Sequence, residues 1–141
     1  MNIIIGKEFS NKVVPLVENA KRSISIIVYD WRWYPDQVGS AIQKFNNAIL
    51  VSARKGKDVR VITNRPVESI VLEDFGIKIK KISTKRTLHT KLMIIDNEIA
   101  ILGSHNYTMS AFTINHEVSL IIKNKEAVER LILYFNNLWS L

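Results

Sequence analysis

Apolar side chains recur along the chain at two spacings, one typical of amphipathic helices and the other typical of strands. Every third or fourth position is apolar over residues 10–20 and again over residues 36–55, which predicts two helices. Ser10 or Asn11 is a suitable N-cap for the first helix, and Gly56 is a suitable stop for the second.

Runs rich in Ile, Val and Leu lie between these helices and predict short strands. The predicted strands are residues 23–29, 58–63, 77–83, 88–95, 99–102 and 118–122. Two further helices are predicted over residues 66–75 and 125–138. Because strands alternate with helices, the pattern predicts an α/β fold, a mixed β-sheet flanked by helices on both faces. No domain boundary or repeat is visible, so we expect residues 1–141 to form one domain.

Six chemically distinctive residues stand at the spacing H-x-K-x4-D-x6-G-S-x-N, across the fourth and fifth predicted strands. They are His89, Lys91, Asp96, Gly103, Ser104 and Asn106. On a strand, His89 and Lys91 point to the same side, about 7 Å apart along the backbone. One phosphate group can therefore touch both side chains.

The residues after the second motif strand suit the binding of that phosphate. Gly103 permits close backbone approach to an anion, while the Ser104 hydroxyl and the Asn106 amide can donate to phosphate oxygens. With the positive charge of Lys91, these groups would stabilise a pentacovalent transition state. Asp96 falls in the turn between the two strands, where Asp commonly bonds backbone, and we expect it to be structural.

A nucleophile completes this chemistry, and histidine can both attack phosphorus and titrate near neutrality. His89 is therefore the candidate nucleophile. Its other ring nitrogen needs an acceptor that fixes the tautomer, and Glu117, at the head of the predicted strand 118–122, is the candidate for that role.

The motif resembles the HKD motif of the phospholipase D superfamily, whose members break and make phosphodiester bonds. The preceding order of helices and strands also resembles the small bacterial nucleases of that superfamily. In small members an acidic residue at the place of Glu117 hydrogen-bonds the motif histidine. A complete site contains two motifs and this chain has one, so the resemblance implies a two-fold symmetric homodimer. One His89 would attack and its mate would protonate the leaving oxygen, with no metal ion and no cofactor.

The charge balance favours a polyanionic substrate. Lys and Arg number 20 against 13 Asp and Glu, which gives a net charge of +7. Nucleic acid is the commonest cellular polyanion, so an endonuclease acting on DNA or RNA is our leading hypothesis. The alternatives are a phospholipase D acting on phospholipid head groups and a catalytically silent nucleic-acid-binding module. The lipid alternative is less favoured because the sequence indicates no basic amphipathic helix for docking on a bilayer.

Two stretches are candidates for contacting nucleic acid. Lys85 and Arg86 precede the motif and could form a phosphate-steering rim, or simply a solvated loop. Trp31, Arg32 and Trp33 follow a predicted strand and could stack unpaired bases. We favour packing or dimer contact for this aromatic stretch, since Trp is enriched in both settings.

Other site types find little support in the sequence. His105 and His116 could join His89 and Glu117 in a zinc site, but no metal-ligand spacing supports it, and packing or surface roles are favoured. Cysteine is absent, which excludes disulfides and thiolate metal sites. No run reaches the 18 or so apolar residues of a membrane span, so we expect no membrane partner and a cytoplasmic location.

Overall fold

A computed structural model describes residues 2–64, 69–82 and 85–141, which form seven strands and five helices. The strands are β1 (Asn2–Ile5), β2 (Ser23–Ile27), β3 (Asp58–Thr63), β4 (Lys78–Lys81), β5 (Leu92–Ile95), β6 (Ile99–Gly103) and β7 (Val118–Ile122). The helices are α1 (Glu8–Glu18), α2 (Ala41–Arg54), α3 (Ser69–Asp74), α4 (Met109–Thr113) and α5 (Lys125–Trp139).

All seven strands belong to one mixed sheet in the order β1-β7-β6-β5-β2-β3-β4. The pairs β2–β3 and β3–β4 are parallel, and the other neighbouring strands are antiparallel. One face packs against α1, α2 and α4 through a large apolar cluster, and the opposite face packs against α5 through a smaller one. The predicted mixed sheet with helices on both faces is confirmed.

Local chemistry explains where the first two long helices begin. α1 starts at Glu8, whose carboxylate accepts a hydrogen bond from the Ile5 backbone N–H at 2.8 Å, so it begins before the predicted Ser10 cap. Ser10 is buried within the helix and donates to the Ala41 carbonyl at 3.0 Å. α2 starts five residues later than predicted because Ser40 is its N-cap and accepts from the Gln43 N–H.

The motif strand is shorter than predicted. β5 begins at Leu92, which pairs with Ile27 on one side and Leu102 on the other, at the last register positions of both ladders. His89 and Lys91 therefore precede the strand, because β2 has ended and provides no partner beyond Ile27. One further bond, from the Gly103 N–H to the Lys91 carbonyl at 3.3 Å, ties this segment to β6.

Other boundaries also differ from the sequence pattern. β1 and α4 were not indicated by the pattern, and β1 pairs antiparallel with β7 as an edge strand. β4 is shorter than the predicted run 77–83, and Ser83 lies outside the described residues. Pro66, the predicted start of the third helix, also lies outside them.

Candidate active site

His89 and Lys91 meet at the end of the sheet, just before β5. The Lys91 Nζ lies 3.3 Å from the His89 Nδ1, so the two side chains share one side although they precede the strand. The His89 side chain is exposed, and its ring centroid lies 5.8 Å from that of Tyr29. An ammonium has only protons to give, so Nδ1 accepts in this pair and the proton of a neutral ring sits on Nε2.

Lys91 is half-buried, and its surroundings affect its charge. Burial lowers the pKa of the Lys91 ammonium, and the nearby negative charge of Glu117 partly opposes that shift. The two side chains are thus electrostatically coupled.

Ser104 and Glu117 form a hydrogen-bonded pair where β6 ends and β7 begins. The Ser104 hydroxyl donates to Glu117 Oε1 at 2.6 Å and accepts from the Val118 N–H at 3.0 Å. Asn115 donates its side-chain amide to Glu117 Oε2 at 3.2 Å. Both carboxylate oxygens therefore have local partners here, and the bond from Glu117 to His89 remains a prediction, as does a bond from Ser104 to phosphate. Asn115 was missed by sequence reasoning because it lies outside the motif spacing.

Asn106 is positioned through its side-chain oxygen. Asn106 Oδ1 accepts from the backbone N–H of Asp30 at 3.2 Å. On either side of this bond, the Tyr107 N–H donates to the Asp30 carbonyl and the Arg32 N–H donates to the Tyr107 carbonyl. The bond to Asp30 uses the amide oxygen, not the Nδ2 group that we predicted would donate to phosphate.

Gly103 lies where β6 approaches β7 closely. An ideal Cβ at this position would lie 2.4 Å from the Val118 carbonyl oxygen and 2.3 Å from the Ser119 Oγ. Such distances are far below van der Waals contact. The glycine is needed for close packing of β6 on β7, and the backbone approach of an anion at this position remains a prediction.

Asp96 lies at the opposite end of β5 from His89. Its carboxylate accepts from the backbone N–H groups of Lys21, Arg22 and Ser23 at 2.6 to 3.2 Å. Asp96 itself has a φ of 54°, in the left-handed region. Its side chain thus joins the β5–β6 turn to the start of β2, at the opposite end of β5 from His89 and Lys91.

The aromatic stretch divides between the core and the surface. Trp31 is 3% exposed, and its Nε1 donates to Asn46 Oδ1 at 2.6 Å. Trp33 is half-buried and packs against the same core, whereas Arg32 is exposed and pairs with Asp30 at 3.2 Å. Trp31 as a nucleic-acid-binding candidate is therefore corrected, since a buried ring with a buried partner cannot stack on a base.

A known protein family matches most of this chain. The profile of a family described as "Cardiolipin synthase, PLD-like domain" matches residues 13–139. The chain belongs to the phospholipase D-like family. It is thus a member of a superfamily of phosphodiester-acting enzymes, and the resemblance drawn from the motif is confirmed.

Relatives of this chain differ in their length and in their similarity to it. The cardiolipin synthase of Halalkalibacterium halodurans is 30% identical over 131 residues, which are 85% of this chain and 24% of that protein. The chain therefore spans about a quarter of that relative. Among solved structures, NucT from Helicobacter pylori has a TM-score of 0.78 at 21% identity, and the phospholipase D family member Nuc from Salmonella typhimurium has 0.79 at 23%. Each alignment covers 99% of this chain and 94% of the other.

The remaining sequence candidates differ in their exposure. Lys85 and Arg86 are exposed, and Arg86 borders a groove that extends from His89. His105 is 1% exposed, where Nε2 faces the Gly6 carbonyl at 2.8 Å and Nδ1 faces the Ser119 hydroxyl at 2.7 Å. His116 is exposed near Glu117.

Within residues 2–64, 69–82 and 85–141, no three His, Asp or Glu side chains are grouped so as to hold a metal ion. None of the helices formed by these residues has both the length and the apolar character needed to cross a membrane.

Proposed function

We propose that this protein is a metal-independent phosphodiesterase, an endonuclease that hydrolyses DNA or RNA through a phosphohistidine intermediate at a site shared by two copies of the chain. The observation that carries the proposal is the 3.3 Å contact between His89 and Lys91 at an exposed end of the sheet. This pair places a nucleophile and a fixed cation where one phosphate can reach both.

The chemistry needs two histidines in opposite protonation states. Nε2 of one His89 attacks phosphorus, and the P–O bond to the leaving strand breaks as the mate's Nε2–H donates its proton to the leaving oxygen. The mate, now a base, then takes a proton from water, whose oxygen attacks phosphorus and breaks the N–P bond. The mate must carry protons on both ring nitrogens to act as this acid, and once it has given up its Nε2 proton it is a neutral ring whose free Nε2 can act as the base.

Two positioning groups support the same reaction. Lys91 would move from Nδ1 to a phosphate oxygen when substrate binds, which frees Nδ1 to donate to a carboxylate such as Glu117. The Ser104 hydroxyl holds that carboxylate at 2.6 Å and keeps it beside the motif. A carboxylate acceptor stabilises the positive charge that develops on the attacking ring.

Nucleic acid is the proposed substrate because the charge of the chain favours a polyanion. The net charge is +7, and Lys85 and Arg86 are exposed directly before His89. Cations at this position would contact phosphates flanking the scissile one, which positions a strand without reading its bases.

A phospholipid substrate is the second candidate, and two observations favour it. The matching profile and the relative that is 30% identical are both described as cardiolipin synthases. In addition, α5 exposes Leu133 at 63% and Tyr134 at 41%, although the sequence indicated no helix suited to a bilayer. The same phosphohistidine chemistry would then act on a head-group phosphodiester.

The first experiment incubates the protein with single-stranded DNA, duplex DNA, RNA and phosphatidylglycerol vesicles, all in EDTA. We expect nucleic acid cleavage that is lost in His89→Ala, and a labelled phosphoprotein stable to base but labile to acid when a labelled strand is used. Light scattering after gel filtration is expected to give a dimer. Turnover of vesicles but not of nucleic acid would replace the nuclease proposal, and an active monomer would exclude the shared site.

A further inference from the structure

A groove of about 610 Å³ extends from His89 between the segment that precedes β5 and the end of α5. We call it the His89 groove. It is lined chiefly by Ile82, Arg86, Leu88, His89, Tyr134 and Leu138. Its volume falls in the range of pockets that hold small organic ligands. Because His89 lines the groove, a phosphate attacked by His89 would lie beside it.

The walls of the groove are apolar and its margins are polar. Leu88 is 6% exposed and Leu138 is half-buried, so both walls are supported by the core on the α5 face of the sheet. Tyr134 is 41% exposed, and its hydroxyl lies 2.8 Å from the Thr90 Oγ1. That bond holds the ring beside the motif segment, where Tyr134 and His89 line the same groove.

We propose that the His89 groove holds the unpaired base of a nucleotide next to the cleaved phosphate, stacked on Tyr134, and that the preferred substrate is therefore single-stranded. The inference rests on the proposed nuclease function and specifies its substrate. A base has apolar faces and polar edges, which match apolar walls with polar margins. Stacking on an aromatic ring is sequence-tolerant because every base has a π-face.

Charge at the margin favours a nucleotide over an apolar chain as the occupant. Arg86 lines the groove and Lys85 is exposed beside it, so the entrance is positive where the next phosphate of a strand would lie. In a duplex the bases are paired and stacked, and entry into the groove would require one to be unstacked. Because Trp31 is buried and Tyr134 is exposed, Tyr134 replaces Trp31 as the aromatic residue on which the base would stack.

The test compares a single-stranded oligonucleotide with one of equal length that carries tetrahydrofuran abasic sites throughout. We expect kcat/KM of the wild type to be at least about fivefold higher with bases present, and Tyr134→Ala to bring that ratio close to one. Tyr134→Phe keeps the ring and loses the hydroxyl bond to Thr90, so it is expected to keep the ratio. Leu133→Ala is the matched control, since Leu133 is exposed on the same helix but does not line the groove.

The same oligonucleotides are then bound to His89→Ala, with affinity measured by fluorescence anisotropy, so that the groove is tested without turnover. Tighter binding of the oligonucleotide that has bases, lost when Tyr134→Ala is added, supports the inference. If that result is obtained and no nucleic acid is cleaved by the wild type, only the nuclease function fails. A ratio unchanged in Tyr134→Ala overturns the inference while leaving the nuclease function intact. Equal losses in Tyr134→Ala and Tyr134→Phe, or a loss confined to phosphatidylglycerol turnover, would overturn it as well.

Discussion

Gly103 on β6 and Ser119 on β7 are register partners, and a Cβ atom on Gly103 would lie 2.4 Å from the Ser119 Cα. The obstruction is backbone, which cannot rotate away as a flexible side chain can. Ser119 also places its hydroxyl 2.7 Å from His105 Nδ1. The close approach of β6 to β7 at Ser119 is thus linked both to the strand pairing and to the hydrogen bonding of buried His105.

Gly103→Ala is expected to lower the free energy of unfolding by about 3 kcal/mol, at the upper end for an overpacked site. The added methyl group must push β6 away from β7, because the nearest atoms are backbone. Urea unfolding followed by circular dichroism measures the loss. Gly39→Ala is the matched control, since its Cβ would meet nothing within 4 Å. Equal stability of the two variants would show that the strands can separate at no cost.

His105 is expected to make stability depend on pH near neutrality. Burial lowers the pKa of the His105 imidazole, and the Gly6 carbonyl and Glu117 only partly oppose that shift. The unfolded chain, with a histidine pKa near 6.5, therefore binds a proton before the folded chain does. The contribution is fully present above about pH 6.5 and is lost as pH falls through the folded-state pKa.

The measurement compares the free energy of unfolding of the wild type and His105→Gln at several pH values from 8 to about 5.5. We expect the variant to lose less stability on acidification than the wild type. His116→Gln is the control because His116 is exposed. Parallel pH curves for the wild type and His105→Gln would contradict the assignment.

Asp96 is expected to hold the β5–β6 turn against β2. Burial alone would raise the pKa of the Asp96 carboxyl, but hydrogen bonds from the backbone of Lys21, Ser23 and Arg22 lower it overall. Asp96→Ala should cost about 2 kcal/mol or more, because three backbone donors lose a charged acceptor. The contribution of the charge is present above about pH 4, the unfolded-state value, and is lost as pH falls further.

Thermal or urea unfolding at pH 7 and at about pH 3 measures both effects. Asp96→Asn keeps a residue that tolerates the left-handed φ of 54° and removes only the charge, so we expect an intermediate loss. Glu98→Ala is the control, because its carboxylate is 70% exposed in its pair with Arg22. A loss in Asp96→Ala no larger than in Glu98→Ala would contradict the role.

The candidate motif residues could be named from the sequence because their chemistry is coded by residue type and spacing. The order of helices and strands could be predicted because it follows the hydrophobic period. Sequence reasoning extended the motif strand back to residue 88 because residues 88–95 are rich in Leu, Met and Ile, while the observed β5 begins at Leu92, where pairing with Ile27 begins. It could not show that Gly103 packs against Ser119, because that proximity depends on which strands pair. Local patterns carry no information on which strand will be a neighbour.

Trp31→Ala is expected to reduce stability and leave nucleic acid affinity unaffected at equal folded concentration. The ring is 3% exposed, and its loss creates a cavity and leaves Asn46 Oδ1 without the indole donor. Such truncations cost about 3–5 kcal/mol. Unfolding measurements, with binding to single-stranded DNA at low temperature, separate the two effects. Arg32→Ala, at an exposed neighbour, is the control, and a fully stable Trp31→Ala with weakened binding would reverse the packing assignment.

Glu117→Gln is expected to move the alkaline side of the pH–activity profile to lower pH. Burial lowers the pKa of the Lys91 ammonium, and the Glu117 carboxylate opposes that shift. Removing the negative charge therefore lowers the pKa of Lys91 further, so that Lys91 loses its proton, and its attraction for phosphate, at a lower pH. The Ser104 hydroxyl can still donate to the amide oxygen of the new side chain, so the local structure is expected to persist.

The profile of kcat/KM against pH on the preferred phosphodiester checks this prediction, with Glu98→Gln as a control at a remote exposed carboxylate. Ser104→Ala separates charge from positioning, because it removes the 2.6 Å bond to Glu117 but leaves the carboxylate charge in place. It should lower kcat and move the alkaline limb less than Glu117→Gln does. If Glu117→Gln reduced activity by the same factor at every pH, Glu117 would act on this site by hydrogen bonding alone, and its coupling to Lys91 would have no part in the reaction.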